Sequence, residues 1–280
     1  LCLRWPEREQ PHGVAPTIIW KICRKSFKLN ILKRIGGMKM IRSKIAIIFV
    51  VLLMVVLTTG GCVPSAEKAP TKQADYHNKM GTAYLNEGKT QLAFVEFQKA
   101  VQIEPDNKDI VYNLGIVYLR LEDNENAKQY FLKAVKLDPK FADAYNNLGV
   151  TYMQLGQWRD AVGAFQKALA NLLYRTPEKA FYSVGMCYYR LGEYGKAVDS
   201  FKDSIRRDNT FVLPYYGMAL AYNKLERFGD AAEMMDRAIM IDPGYQGNRD
   251  KKVADMNERL YSAKGEEEKD LRDYLEIMQY

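Results

Sequence analysis

The sequence predicts an all-α solenoid of five helix–turn–helix units, followed by C-terminal capping helices. Three observations predict it. Small residues recur in an apolar setting as Gly81, Gly115, Gly149, Gly185 and Ala219, at intervals of 34, 34, 36 and 34. Each is followed at three residues by tyrosine (Tyr84, Tyr118, Tyr152, Tyr188, Tyr222) and at twelve by alanine (Ala93, Ala127, Ala161, Ala197, Ala231). A large apolar residue comes next (Phe97, Phe131, Phe165, Phe201, Met235), then a small one (Ala100, Ala134, Ala168, Ser204, Ala238), and Pro105, Pro139 and Pro243 close three units.

The physics agrees with the pattern. Gly or Ala is needed where the two helices of a unit approach closely, Tyr and Phe fill the gaps between them, and Pro ends the second helix. One unit cannot bury its apolar face, whereas stacked units share a continuous core. The motif resembles the tetratricopeptide repeat (TPR), whose period is 34. That resemblance implies a right-handed superhelix over residues 74–245, in units 74–107, 108–141, 142–177, 178–211 and 212–245.

Two units depart from the pattern. The third runs to 36 residues and ends in Asn171-Leu172-Leu173-Tyr174-Arg175-Thr176-Pro177; the fourth carries Ser204 and Asn209 where Ala and Pro are expected. Beyond Tyr245, Val253, Met256 and Leu260, then Leu271, Leu275 and Met278, recur at helical spacing. Residues 246–280 therefore read as the polar-backed cap that a solenoid end requires. Charge-rich Lys264–Arg272 reads as its solvated face.

The front of the chain is of another kind. Residues 45–57 are an uninterrupted apolar run behind Arg42 and Lys44, too short for the ~20 residues of a spanning helix. A charged start, a short apolar core and a small-residue exit describe a signal peptide, residues 38–61. Thr58-Thr59-Gly60-Gly61-Cys62 is similar to a bacterial lipobox, with Thr59 where that motif usually has Leu. The resemblance implies that Cys62 carries a covalent lipid, with residues 62–73 as a tether. Val63 in place of Asp implies sorting to the outer membrane, facing the periplasm. An uncleaved anchor and plain secretion are the other readings. Residues 1–37 read as an over-extended gene prediction, with translation expected to start at Met38 or Met40.

Composition narrows the chemistry. The net charge of +7 invites a nucleic-acid reading, but residues 1–61 hold 11 Lys/Arg and two acids, leaving 30 bases against 32 acids in the rest. No nucleic-acid partner is expected. Only His12 and His77 occur, the four cysteines (Cys2, Cys23, Cys62, Cys187) have no paired spacing, and no phosphate-cradling loop or nucleophile motif is present. The expectation is a chain with no catalytic residues, metal, cofactor or small-molecule substrate. Cys187 sits at a small-residue position and reads as a buried apolar group, and His77 as a side chain packed between helices.

By helical phase, positions three before and one and four after the Gly/Ala column face the concave groove. The candidate partner-binding residues are Tyr112, Ile116, Leu119, Val150, Met153, Tyr182, Met186, Tyr189, Tyr216 and Leu220. This mostly apolar stripe suits a partner's amphipathic helix or extended apolar segment, unless tight winding buries it. Asn78, Thr82, Asp143 and Asn147 do not match the carboxylate clamp of chaperone-binding TPR domains.

A lipid anchor, a short tether and a TPR run resemble the type IV pilus pilotin family, PilF/PilW, over about residues 38–245. The junction Leu173-Tyr174-Arg175-Thr176-Pro177-Glu178 is similar to that family's Leu-Tyr-Pro-Glu-type junction. The resemblance implies a protein partner, the pilus secretin, helped to the outer membrane and into its multimer. The family commonly has six units where five are clear here. An envelope adaptor for cell-wall enzymes or outer-membrane protein assembly is the alternative reading; an enzyme, or a regulator of one, is a third.

Overall fold

The computed structural model describes residues 68–280, with side chains from residue 71. The expected leader, signal segment and Cys62 lie outside the described residues. The described chain holds twelve helices and no strand. They are α1 (Lys68–Asn86), α2 (Thr90–Ile103), α3 (Lys108–Arg120), α4 (Asn124–Leu137), α5 (Ala142–Gln154) and α6 (Trp158–Leu169). Then follow α7 (Pro177–Arg190), α8 (Tyr194–Arg207), α9 (Leu213–Lys224), α10 (Phe228–Ile241), α11 (Arg249–Leu260) and α12 (Glu266–Ile277). The pairs α1/α2 to α9/α10 are the five units, each helix packed on the next. α1 begins at Lys68, so part of the expected tether is helical. Pro70 is tolerated there because first-turn N–H groups have no intrahelical partner.

The columns seen in the sequence are the core. Phe97, Phe131, Phe165 and Phe201 are each wholly buried, as are the five alanines of the column before them, Ala93, Ala127, Ala161, Ala197 and Ala231. A Cβ added to Gly115 would lie 2.6 Å from the Phe131 ring, and one on Gly185 2.5 Å from that of Phe201. The glycine is therefore dictated by the ring. In the fifth unit both change together: Ala219 stands in the glycine column, and flexible Met235 replaces the rigid phenylalanine. Ser204, in the alanine column, is buried and donates its hydroxyl to the Glu178 carbonyl at 2.7 Å, which satisfies the polar atom.

Helix boundaries follow local chemistry. The Asn107 and Asp123 side chains cap α3 and α4 by accepting from Asp109 and Asn126 backbone N–H groups. Pro177 and Pro214 sit in the first turns of α7 and α9. The turn inside each unit needs one left-handed residue: Gly88, Gly156 and Gly192 in three units, Glu122 and Glu226 in the others. The expanded third unit spends its extra residues on the loop 170–176, whose Leu172 and Leu173 are 98% and 87% exposed.

The last two helices do not extend the stack as a simple end cap. The junction after α10 contains Gln246 and Gly247, both with positive φ (49° and 85°). The Gly247 N–H returns to the Ile239 carbonyl at 2.9 Å, closing the end of α10 and turning the chain. α11 and α12 form an antiparallel pair, and α12 packs against α9 and α10.

Candidate binding groove

The first helices α3, α5, α7 and α9 present the ten expected groove residues, and the structure divides them. Tyr112, Ile116, Leu119, Val150 and Met153, on α3 and α5, are half-buried. The Tyr112 ring leans on Phe131 and Phe141, with centroids 5.9 and 4.8 Å apart. Its hydroxyl accepts from Asn147 Nδ2 at 3.0 Å, and burial pushes its pKa up to about 12. Asn113 likewise donates to Asn78 Oδ1 at 2.9 Å, so side-chain hydrogen bonds donated by asparagine join neighbouring first helices on this side.

Tyr182 and Met186 are half-buried, but Tyr189, Tyr216 and Leu220 are 6%, 7% and 1% exposed. As freely accessible groove residues these three are corrected. The covering element is the chain's own α12. Tyr189 donates its hydroxyl to Asp273 at 3.3 Å, and the Tyr216 ring meets Tyr274 edge-on at 5.8 Å. Leu220 belongs to the same buried cluster as Ile277. Arg190 grips Asp270 with both terminal nitrogens, at 2.8 and 2.5 Å, and reaches Glu266 at 3.2 Å. Lys224 pairs with Asp273 at 2.6 Å, Asn223 donates to Glu276 at 3.3 Å, and the Tyr280 hydroxyl donates to Asn223 at 3.2 Å. Within Lys264–Arg272 the charged residues Lys264, Glu266, Glu267, Lys269 and Arg272 are exposed as a solvated face, while Asp270 and Leu271 turn to the repeats.

Family models for the tetratricopeptide repeat match residues 81–122, 112–171, 146–210 and 214–245. The chain belongs to the tetratricopeptide-repeat family. No curated protein matches it in sequence. Solved TPR-fold structures do match it. A MamA structure is 22% identical at a TM-score of 0.58, covering 64% of this chain and 97% of that one. Pseudomonas aeruginosa PilF is 21% identical at 0.57, covering 76% and 99%. PilW, described as a widely conserved type IV pilus biogenesis factor, is 19% identical at 0.57, covering 74% and 98%. At such identities the likeness concerns the fold.

Within the TPR groove, a cavity of about 730 Å³ remains between α12 and the repeats, lined by Tyr182, Met186, Leu213, Tyr216, Lys252 and Tyr274 among others. Lys252 from α11 is 7% exposed, with its ammonium 4.4 Å from the Tyr216 and Tyr245 ring centroids. Burial lowers its pKa, opposed by Asp242 and Asp255. Cys187 is wholly buried and its thiol pushed up to about 12 by desolvation, which leaves it protonated and inert at neutral pH. His77 hydrogen-bonds Glu96 at 2.6 Å between α1 and α2. Among the described residues no cluster of metal-ligating side chains occurs, and no helix is long and apolar enough to cross a membrane.

Sequence reasoning missed the residues that seat α12: Arg190, Lys224, Asn223, Asp270, Asp273 and Tyr274. A signal was available. Glu266, Asp270, Asp273 and Glu276 recur at intervals of four and three, an acidic stripe beside the apolar one, while Arg190 and Lys224 each directly follow a groove position.

Proposed function

We propose that this TPR scaffold is an envelope lipoprotein that holds an apolar segment of a partner in its groove and acts as a pilotin for the type IV pilus secretin. The observation that carries the reading is the half-buried apolar stripe Tyr112, Ile116, Leu119, Val150 and Met153 on consecutive first helices. Such a stripe shields an apolar segment of an unassembled subunit from water, a service that needs binding and no chemistry. The lipobox-like Gly60-Gly61-Cys62 supports delivery to a membrane, since multiple acyl chains anchor stably where one binds marginally. The fold likeness to PilF and PilW, over about three quarters of the chain, supports the choice of secretin.

Deleting the gene and examining outer membranes on a semi-denaturing gel tests the proposal. The heat-labile secretin multimer should disappear, and should return with the wild-type gene but not with Cys62→Ala. An unchanged multimer rejects the pilotin role and directs attention to cell-wall enzymes or outer-membrane protein assembly as the adapted machinery.

A further inference from the structure

We propose that the C-terminal half of the groove, over α7 and α9, is a receptor for an acidic amphipathic helix, that α12 is its resident occupant, and that a partner helix of the same chemistry takes the place of α12. The inference rests on the groove's receiving a protein partner, and does not depend on that partner being a secretin.

α12 has the form of a groove ligand. Its apolar residues Leu271, Tyr274 and Ile277 lie one helical turn apart, and Leu271 and Ile277 are 2% and 0% exposed. Beside them runs the acidic stripe, and the repeats answer it with cations at one structural position: Arg190 closes α7, and Lys224 closes α9. The Arg190–Asp270 pair is planar-to-planar and bidentate, with both side chains 14% exposed. Lys224 engages Asp273, and Asn223 engages Glu276, so successive acids are read along the helix. This is charge and apolar matching in register, the means by which helix-in-groove binding obtains specificity.

The seat also differs from the interior of the repeats in a way that permits exchange. Between repeat helices the phenylalanines leave no exposed surface, whereas α12 borders an open cleft of about 730 Å³ that α7, α9, α11 and α12 line together, with Met186, Tyr216, Met256 and Tyr274 among its walls. A cleft open at the edge of the seat gives an incoming helix a surface to engage before α12 has left, and apolar wall still to bury. The α11–α12 link, residues 261–265, is short and turns at Gly265 with φ 63°, so α12 is tethered close to its seat. A tethered occupant competes at an effective concentration in the mM range, which sets the affinity a partner must exceed.

The test uses the purified full-length chain and a fluorescent peptide with the sequence of residues 264–280. The wild-type chain should bind it weakly. A chain carrying Asp270→Arg and Asp273→Arg, which sets α12 against Arg190 and Lys224, should bind it at least tenfold more tightly. Adding Arg190→Glu and Lys224→Glu should abolish that binding, and a peptide with the same two Asp→Arg changes should restore it to a chain whose α12 is wild type but whose groove carries both Glu changes. Hydrogen exchange accompanies each titration. Should α12 lose protection in the released chain without any gain in peptide affinity, the groove is no receptor. Retained protection of α12 in that chain makes it a packed end cap and overturns the proposal equally. If the double change unfolds the repeats, the wild-type chain decides: excess peptide must strip protection from α12 amides alone, and unchanged exchange rejects displacement. A secretin multimer unaffected by gene deletion would reject only the pilotin role and leave this result standing.

Discussion

The five repeats and the C-terminal pair are both helical and both bury apolar side chains, yet they are held by different forces. In the repeats one steric relation recurs: a phenylalanine lies against the glycine of its own unit, and Phe97, Phe131, Phe165 and Phe201 are all at 0% exposure. Non-directional burial at roughly 25 cal/mol per Å² tolerates variation elsewhere, so the surface is free to change. α12 is held instead by a set of directional contacts made once each, from Arg190–Asp270 to Tyr280–Asn223, around three apolar anchors and a cavity. The more exposed of these, Arg190–Glu266 and Lys224–Asp273, stabilise by about 1 kcal/mol or less each. The comparison teaches that one chain can separate what must stay folded from what must open, because local unfolding begins where buried apolar contacts are fewest.

The largest effect is expected in the repeats. Phe131→Ala empties the centre of the second unit and should destabilise by about 3–5 kcal/mol in a denaturant titration. Because neighbouring units share that core, α12 should lose protection with the rest. A protected α12 above a melted second unit would show that the two regions are less connected than their stacking implies. Next comes Gly185→Ala, which places a methyl 2.5 Å from the Phe201 ring and should cost about 1–3 kcal/mol. Phe201→Met added to it should recover part of the loss, since Ala219 with Met235 is that combination already present in the fifth unit. Double-mutant analysis reads the coupling, and strict additivity would mean the correlated change in the fifth unit has another origin.

The same difference in forces explains how much was legible in the sequence. The repeat columns were readable because a steric rule used five times leaves a period, and periodicity needs no knowledge of what lies opposite. Five of the expected groove positions, Tyr112, Ile116, Leu119, Val150 and Met153, are half-buried on consecutive first helices. The same helical phase predicts that degree of burial for a face between core and groove. The burial of Tyr189, Tyr216 and Leu220 was not readable, because it depends on contacts with Asp273, Tyr274 and Ile277, far along the chain in a segment that follows no period. Leu271 and Met278 marked a helix, but only the Gln246–Gly247 turn, through two positive φ values, decides that it leads to the groove instead of onto the stack. Ser204 illustrates the smaller gap. The sequence shows a departure from alanine, and only the structure shows Glu178 waiting to accept its hydroxyl.

A third substitution probes the boundary between the regions. Arg190→Ala leaves Asp270 facing the groove without its bidentate partner, and hydrogen bonds to charged groups contribute about 1.5–3 kcal/mol. With 14% exposure remaining on each side chain, the lower end of that range is expected. The loss should be local: faster amide exchange across α12, with the exchange of α3–α6 unaltered. Uniform loss across the repeats would mean that α12 is an integral part of the solenoid, and the contrast drawn above would fail.

The smallest effect should be a gain. The turn inside each unit uses a left-handed residue, and Glu122 and Glu226 occupy it at φ 61° and 59° where the other three units have glycine. A non-glycine residue there costs roughly 1–2 kcal/mol in the folded state. Glycine removes that cost but enlarges the conformational freedom of the unfolded chain, which returns part of it. Glu122→Gly should therefore stabilise by about 0.5–1 kcal/mol, seen as a higher denaturant midpoint at unchanged slope. Glu226→Gly should do the same for the fifth unit, on which α12 rests. If Glu226→Gly also slows α12 exchange while Glu122→Gly does not, the stability of the tail is set by the unit beneath it. Equal exchange in the two variants would instead place the control of α12 in its own polar contacts, with Arg190 foremost among them.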